Sequence, residues 1–267
     1  MSDSKPDRRD ETTRARAEEA ERFLAAARDI VVHGERRNLF LRLLGSLAYR
    51  IHCPANAHLL DEMNRELTDL DFASERKYAS GLIDMLKELG YVMDVEIATA
   101  TGGSRYYFKH PSTELGVDVF MDELYFCHQI SFRGRLHVDR HTIPLAELLL
   151  EKMQIVELNE KDIKDTIVLL LEHDIGDDDN EKVNAGVVAS TLADDWGFYY
   201  TVILNLNRVT NHLNDYAVLD DDEKALVRRR VDALRARIES APKSFKWKAR
   251  SRVGTRVRWY QLVEAKG

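Results

Sequence analysis

The feature that most constrains this chain is a pair of aspartates, Asp69 and Asp71, set one residue apart in the segment LTDLDF at 67–72. Alternation with a period of two is typical of a β-strand, whose successive side chains point to opposite faces of a sheet. The strand predicted over 67–72 therefore directs both carboxylates to one face. Because helical patterns precede and follow it, we predict an α/β fold for this part of the chain.

A third aspartate, Asp118, lies in the segment GVDVF at 116–120, again between apolar residues. If its strand pairs with the first one, three carboxylates converge at one edge of the sheet. Carboxylates packed that closely repel one another unless a cation or a proton intervenes, and oxygen ligands of this kind suit Mg²⁺ or Mn²⁺. Asp122 and Glu96 are alternatives for the third carboxylate, although Asp118 has the better apolar flanks.

A phosphate-binding turn is predicted ahead of the paired acids. The apolar run 39–44 ends at Gly45 and Ser46 and predicts a strand that enters a tight turn, with a helix following over 47–51. Such a turn exposes backbone N–H groups at the start of a helix, where a triphosphate can be held.

Taken in order, Gly45-Ser46, Asp69-Leu70-Asp71 and Asp118 resemble the motifs of the nucleotidyltransferase superfamily, which has the fold of DNA polymerase beta. The likeness is greatest to abortive-infection-type toxins and related small bacterial nucleotidyltransferases, and it covers roughly residues 36–171. Those proteins also carry an Arg and a Thr or Ser before the paired acids, a Lys on the helix after the sheet, and an Asp-rich helix beyond it. The matching residues here are Arg65, Thr68, Lys152, Asp162 and Asp165.

The resemblance implies an α+β fold with a mixed sheet and flanking helices, followed by a helical domain. It implies transfer of a nucleoside monophosphate from an NTP to a hydroxyl acceptor, with release of pyrophosphate. Asp69 and Asp71 would hold Mg²⁺ or Mn²⁺ on the triphosphate, while Asp118 would share a metal and help to deprotonate the acceptor. The residues implied in NTP binding are Gly45, Ser46, Arg65, Thr68, Lys152, Asp162 and Asp165.

The partners implied by the resemblance are an NTP and, because its closest members include toxins, an antitoxin protein. The resemblance does not specify which NTP is used, and ATP is one of the candidates. The candidate acceptors are RNA such as tRNA, a protein side chain and a small molecule. The alternative function is a non-catalytic nucleotide- or RNA-binding protein on the same fold, and a third is an interaction protein built on the helical half.

Composition excludes several other classes. Lys and Arg number 39 against 46 Asp and Glu, so the net charge of −7 argues against a protein that coats nucleic acid with its whole surface. No apolar run reaches membrane-spanning length, and the charged start of the chain lacks the apolar core of a signal peptide. Cys53 and Cys127 are predicted to be buried free thiols. We therefore expect a cytoplasmic protein with no membrane partner.

The sequence predicts three regions, with a change of pattern at Pro144 as the main boundary. They are a disordered tail and helix at 1–35, a catalytic domain at 36–143 and a helical domain at 144–267. Further predicted elements of the first two regions are helices at 18–32, 58–64 and 75–89, a hairpin of 91–101 with 105–109, and a hairpin of 129–132 with 136–138. In the third region helices are predicted at 145–156, 159–173, 183–214 with a break near Trp196, 220–240 and 245–263, with an acidic loop at 174–181.

The carboxy-terminal tail interleaves basic and aromatic residues, with no acid between Lys243 and Glu264. This composition favours binding to a phosphate backbone and would make RNA the natural acceptor. The alternative is a basic helix packed on acidic neighbours such as 220–223. The candidate nucleic-acid surface consists of Lys246, Trp247, Lys248, Arg250, Arg252, Arg256 and Arg258.

Overall fold

A computed structural model describes residues 8–262 of the chain. Their contacts divide them into two compact units. The first unit runs to Asp122 and includes Arg140–Thr142, and the second comprises Glu123–Asp139 and the chain from Ile143 onward. This division differs from the predicted boundary at Pro144, because the segment 123–139 packs with the helical part of the chain.

The first unit combines helices with one sheet. Its elements in chain order are α1 (Arg8–Arg36), β1 (Arg42–Leu44), α2 (Gly45–His52), α3 (Ala57–Glu62), β2 (Asp69–Ser74), α4 (Ala79–Glu88), β3 (Val92–Met93), α5 (Val95–Ala100), β4 (Arg105–Lys109) and β5 (Gly116–Met121). A 3₁₀ turn, Arg76–Tyr78, precedes α4.

The five strands form one mixed sheet in the order β1-β2-β5-β4-β3. β2 and β5 run parallel, and the other neighbours are antiparallel. One face is a dry core, since Leu70, Phe72, Val117 and Val119 alternate along the two central strands and are all buried. The structure therefore confirms the α+β class with a mixed sheet, and the alternation that predicted β2 reflects one buried face.

The predicted hairpin of 91–101 with 105–109 is wrong in its first arm. Only Val92–Met93 pair with β4, and α5 occupies the rest of that arm. Asp94 starts this helix, because its Oδ1 accepts a hydrogen bond from the N–H of Ile97 at 2.9 Å. The cap outweighs the β-propensity of the Val, Ile and Thr residues that suggested a strand.

Other elements of the first unit differ from prediction in their ends. α1 is longer than the predicted 18–32, because pairs such as Arg14 with Glu18 continue the helix where no apolar periodicity marks it. β2 lies two residues further along than predicted, and α2 begins at Gly45 itself. Of the tail predicted to be disordered, residues 1–7 lie outside the described chain, whereas Arg8 already belongs to α1.

The second unit is mainly helical. Its elements are β6 (Glu123–Tyr125), β7 (Gln129–Ser131), α6 (Leu145–Met153), α7 (Glu160–Glu172), β8 (Asp174–Gly176), β9 (Lys182–Asn184), α8 (Ala185–Asp194), α9 (Trp196–His212), α10 (Asp221–Ser240) and α11 (Phe245–Val253). Within residues 8–262, no helix combines the length and the hydropathy that crossing a membrane requires.

Helix caps account for the boundaries that the sequence predicted well in this unit. Asn159 caps α7 as predicted, its Oδ1 accepting from the N–H of Asp162 at 3.0 Å. Asp195 separates α8 from α9 and caps the second of them, so the break expected near Trp196 lies one residue earlier. Asp220 starts α10 with a capping box.

Three predictions for this unit are wrong. β7 pairs with β6 rather than with 136–138, which lie in turns. The loop predicted at 174–181 begins as a strand, because β8 pairs in parallel with β9. The α-helix predicted over 245–263 ends at Val253, since Gly254 adopts a φ of 59° that does not continue an α-helix, and a 3₁₀ turn, Gly254–Arg256, follows. The last residue of that prediction, Val263, lies outside the described chain.

A buried histidine connects the short hairpin of this unit to α9. His128 is only 4% exposed, stacks on Phe198 with ring centroids 4.9 Å apart, and hydrogen-bonds the Thr201 hydroxyl through Nε2 at 2.9 Å. Burial lowers the pKa of His128 to about 4, because a desolvated imidazolium is costly. The imidazole is therefore neutral in the folded protein at neutral pH.

We predict that His128 makes the second unit less stable in acid. Between pH 6.5 and 4 the unfolded chain binds a proton at this residue and the folded chain does not, so the free energy of unfolding falls by about 3 kcal/mol as the pH drops through that range. Denaturant unfolding followed by tryptophan fluorescence reports on this unit alone, because Trp196, Trp247 and Trp259 all lie in it. His128→Gln should lose this pH dependence, and the exposed His212→Gln should keep it. Equal pH dependence in His128→Gln and the wild type would contradict the assignment.

Candidate active site

The pairing of β2 with β5 brings the three predicted aspartates to one face of the sheet. In this parallel register Asp71 lies beside Asp118, and Asp69 lies beside Gly116. Since residues two apart on a strand share a face, all three carboxylates lie opposite the apolar core face. The predicted convergence of Asp69, Asp71 and Asp118 is thus seen in the first unit, while their chemical roles remain predictions.

Two glycines make room for these carboxylates. A Cβ on Gly116 would overlap Asp69 Oδ1, and a Cβ on Gly45 would overlap Asp71 Oδ2. Gly45 also has a φ of 67°, a left-handed conformation that other residues adopt only with strain. Any side chain at either position would displace a carboxylate of the cluster.

Arg105 neutralises one of the three carboxylates. From β4 its Nε lies 3.0 Å from both carboxylate oxygens of Asp118, and its Nη2 lies 2.5 Å from Oδ2. The Asp118 side chain is 6% exposed and that of Arg105 is 28% exposed, so the pair is largely shielded from water. Burial by itself would lower the pKa of Arg105, but its hydrogen bonds to Asp118 and the charges of Asp118, Asp71 and Asp69 raise it overall.

Tyr107 contributes a hydroxyl to the same face. It lies beside Asp118 in the register of β4 with β5, and its hydroxyl donates to Asp69 Oδ1 at 3.4 Å. Burial raises the pKa of Tyr107, and the negative charge of Asp69 raises it further, so the phenol stays protonated as a donor. The carboxylate face therefore carries one cation and one neutral donor.

The start of α2 borders this carboxylate face. The helix begins at Gly45, against Asp71, and its first N–H groups have no acceptors within the helix itself. Ser46 is the second residue of α2 and is buried. The predicted phosphate-binding turn and the paired acids are therefore neighbours within the first unit.

Other candidates of the first unit lie close to this face in sequence. Thr68 is exposed and directly precedes β2, and Arg65 is buried and donates through Nη1 to the carbonyl of Glu66. The two alternatives for the third carboxylate, Asp122 and Glu96, lie outside the register positions that form this face. Asp122 accepts from the N–H of Arg76 at 3.0 Å, and Glu96 is exposed on α5.

The second unit brings its own predicted NTP-binding residues together. Lys152 Nζ lies 3.3 Å from Asp165 Oδ2 and 3.7 Å from Asp162 Oδ1. Sequence reasoning missed Glu151, whose Oε1 lies 3.0 Å from the same Nζ. All four side chains are buried, so this is a compact ionic cluster between α6 and α7.

The basic tail is divided between packing and exposure. Trp247 packs edge-to-face on Tyr199 with centroids 5.1 Å apart, and Arg250 lies 5.0 Å from the ring of Trp196. The packing alternative named acidic neighbours at 220–223, yet the ring contacts of this helix are with aromatic residues of α9. The remaining basic residues of the predicted surface, Lys246, Lys248, Arg252, Arg256 and Arg258, are exposed.

The carboxylate face has a donor set that fits a hard divalent cation. Asp69 and Asp71 are only partly buried and offer carboxylate oxygens beside a helix start. Asp118 could join them as a ligand only if Arg105 gave up part of its contact. The Asp118 carboxylate would then be shared between the guanidinium and the metal ion. The arrangement can therefore hold positive charge beside a polyphosphate, and the Asp118 carboxylate could act as a base.

Sequence reasoning missed Arg105 and Tyr107 as site residues. The strand over 105–109 was predicted with its observed bounds, and its alternation already places these two side chains on one face. Only the pairing of β4 with β5 shows that this face is the one that carries Asp118. A search for basic residues at alternate positions of neighbouring strands would have flagged Arg105.

Comparisons with protein-family models, curated proteins and solved structures found no significant match to this chain.

We predict that Arg105 offsets the repulsion among the three carboxylates. Arg105→Gln should lower the free energy of unfolding of the first unit by about 2 kcal/mol, since it leaves Asp118 without its bidentate partner. Millimolar Mg²⁺ should stabilise this variant more than the wild type, because a cation can take the place of the guanidinium. Differential scanning calorimetry with and without Mg²⁺ measures both effects.

The matched control is Arg76→Gln, which removes an exposed pair with Asp122 in the same unit. It should change stability by less than about 0.5 kcal/mol and leave the response to Mg²⁺ unaltered. An equal Mg²⁺ response in Arg105→Gln and wild type would show that Arg105 does not balance a cation-binding cluster.

Proposed function

We propose that the protein is a metal-dependent nucleotidyltransferase that moves a nucleoside monophosphate from an NTP to a hydroxyl acceptor. The observation that carries this proposal is the register of β2 and β5, which puts Asp69, Asp71 and Asp118 on one face. The start of α2 lies against the same cluster at Gly45. Three carboxylates beside the positive end of a helix suit a cation-bound polyphosphate better than a neutral ligand.

Each group on this face has a role in the proposed reaction. Asp69 and Asp71 would hold Mg²⁺ or Mn²⁺, which when bound neutralises the triphosphate and stabilises charge on the attacking and leaving oxygens. The N–H groups at Gly45 and Ser46 would orient the phosphates. The Tyr107 hydroxyl would keep the Asp69 carboxylate in place through its hydrogen bond.

Asp118 is the proposed base. Its carboxylate lies on the same face as those of Asp69 and Asp71 and is held in place by Arg105. The acceptor hydroxyl gives its proton to Asp118 while the oxygen of that hydroxyl forms a bond to the α-phosphorus. The bond from that phosphorus to the bridging oxygen breaks, and pyrophosphate leaves with the electron pair.

A second candidate is a non-catalytic nucleotide-binding protein on the same fold. The observation that favours it is again Arg105, whose bidentate contact occupies the carboxylate that the reaction needs. This reading requires NTP binding without turnover. Release of pyrophosphate therefore separates the two candidates.

We predict that Asp69→Asn and Asp71→Asn each reduce pyrophosphate release by at least about a thousandfold, because each removes a charged metal ligand from the transition state. The assay incubates purified protein with each of the four α-labelled NTPs, Mg²⁺ or Mn²⁺ and total cellular RNA, and follows both pyrophosphate and transferred label. Asp84→Asn, an exposed aspartate on α4, is the matched control and should retain wild-type activity.

Full activity in both site variants would overturn the metal-site assignment. Binding of NTP by the wild type without pyrophosphate release from any acceptor would favour the second candidate. Absence of NTP binding in calorimetry would exclude both candidates.

A further inference from the structure

The carboxy-terminal tail presents a basic surface on the second unit. Residues 243–262 contain seven basic residues and no acidic one, in a chain whose net charge is −7. Five of the seven are exposed, and within residues 8–262 none of these five forms an ion pair. We call them the basic tail surface: Lys246, Lys248, Arg252, Arg256 and Arg258.

α11 has an inner face and an outer face. Trp247 and Arg250, three residues apart, are half-buried and contact aromatic residues of α9. Phe245, Lys248 and Arg252 follow the spacing i, i+3, i+7 on the opposite, exposed side. With a rise of 1.5 Å per residue, this outer row is about 10 Å long.

The segment after α11 is held in place rather than free. The guanidinium of Arg250 donates to the carbonyls of Gly254 at 2.6 Å and Val257 at 2.8 Å. The indole N–H of Trp259 donates to the Thr201 hydroxyl at 3.0 Å. Arg256 and Arg258 therefore project from an anchored backbone, which lowers the entropy cost of using them in binding.

An exposed aromatic ring lies among these charges. Phe245 is 88% exposed, an unusual position for a phenylalanine, and it shares the outer face of α11 with Lys248 and Arg252. Cations that neutralise a phosphate backbone, beside a ring on which a base can stack, are the two components of single-strand binding sites. A duplex offers no unpaired base to such a ring.

The same surface fits a lipid bilayer less well. A helix that lies in a membrane interface segregates a broad apolar face from its charged face. In α11 the aromatic face is already packed on α9, and the exposed side mixes Phe245 with Lys248 and Arg252. Charge and stacking together therefore favour a polyanion that carries aromatic bases.

We propose that the basic tail surface binds single-stranded nucleic acid, with phosphates on its five cations and one base stacked on Phe245. This binding needs no NTP and no divalent cation, so it does not depend on the proposed nucleotidyl transfer. Should both hold, the bound strand is the natural class of acceptor.

The test is fluorescence anisotropy of the whole 267-residue chain with a labelled 12-nucleotide single-stranded RNA, and with the same DNA sequence, without NTP or Mg²⁺. If all five cations meet phosphates, the logarithm of the binding constant should fall with the logarithm of salt concentration with a slope of about −3.5. Lys248→Glu combined with Arg252→Glu should weaken binding at least about tenfold and reduce that slope by about 1.4.

The control is Arg133→Glu combined with Arg229→Glu, which makes the same change in net charge at exposed positions of the same unit. It should keep most of the affinity, which separates a local surface from general electrostatics. Phe245→Ala should weaken binding about tenfold without changing the salt slope, and Phe245→Trp should restore it. Circular dichroism verifies that the variants are folded.

Three outcomes would overturn the proposal. One is no binding of either strand at low salt. Another is equal weakening by the tail pair and the control pair. The third is binding to phosphatidylserine vesicles or to polyglutamate in the absence of binding to the single strands, which would assign the surface to a membrane or an acidic protein.

Discussion

Electrostatic repulsion among Asp69, Asp71 and Asp118 is the constraint on which the first unit depends. Parallel pairing of β2 with β5 places them side by side on one face, and the apolar residues between them hold that register by filling the core on the other face. The sheet cannot relieve the repulsion by slipping one residue, because a slip would bury the carboxylates and expose the core. Positive charge and hydrogen-bond donors on the same face therefore have to offset the repulsion.

Arg105 supplies such a charge, and its position on β4 bears on the other residues of this face. Its bidentate contact with Asp118 leaves Asp69 and Asp71 as the more exposed members of the cluster, beside the start of α2. Gly45 and Gly116 leave the space that their carboxylates occupy. Under the proposed function, a guanidinium and a divalent cation then share three acids, and the balance between them decides how readily Asp118 serves as a base.

In the second unit, the tail residues divide into packed and exposed sets. Of the interleaved basic and aromatic residues, Trp247, Arg250 and Trp259 anchor the tail against α9 and its neighbours, whereas Phe245 and five cations remain at the surface. The anchoring residues are what give the exposed ones defined positions. A flexible tail of the same composition would have the same charge but would lose more conformational entropy on binding.

Local sequence signals were enough to predict several elements of the fold. Period-two alternation identified β2, β4 and β5, and capping residues such as Asn159 identified helix starts, because both signals act within a few residues of the chain. A wrong prediction also arose where two local signals disagreed. In the segment 95–100, the Asp94 cap favours a helix and outweighs the β-branched composition that favours a strand. The order of the strands, which brings Arg105 and Tyr107 to the three aspartates, became clear from the tertiary contacts alone. The same is true of which tail residues are packed. Those outcomes depend on contacts between residues far apart in the chain, whose energies no local pattern encodes.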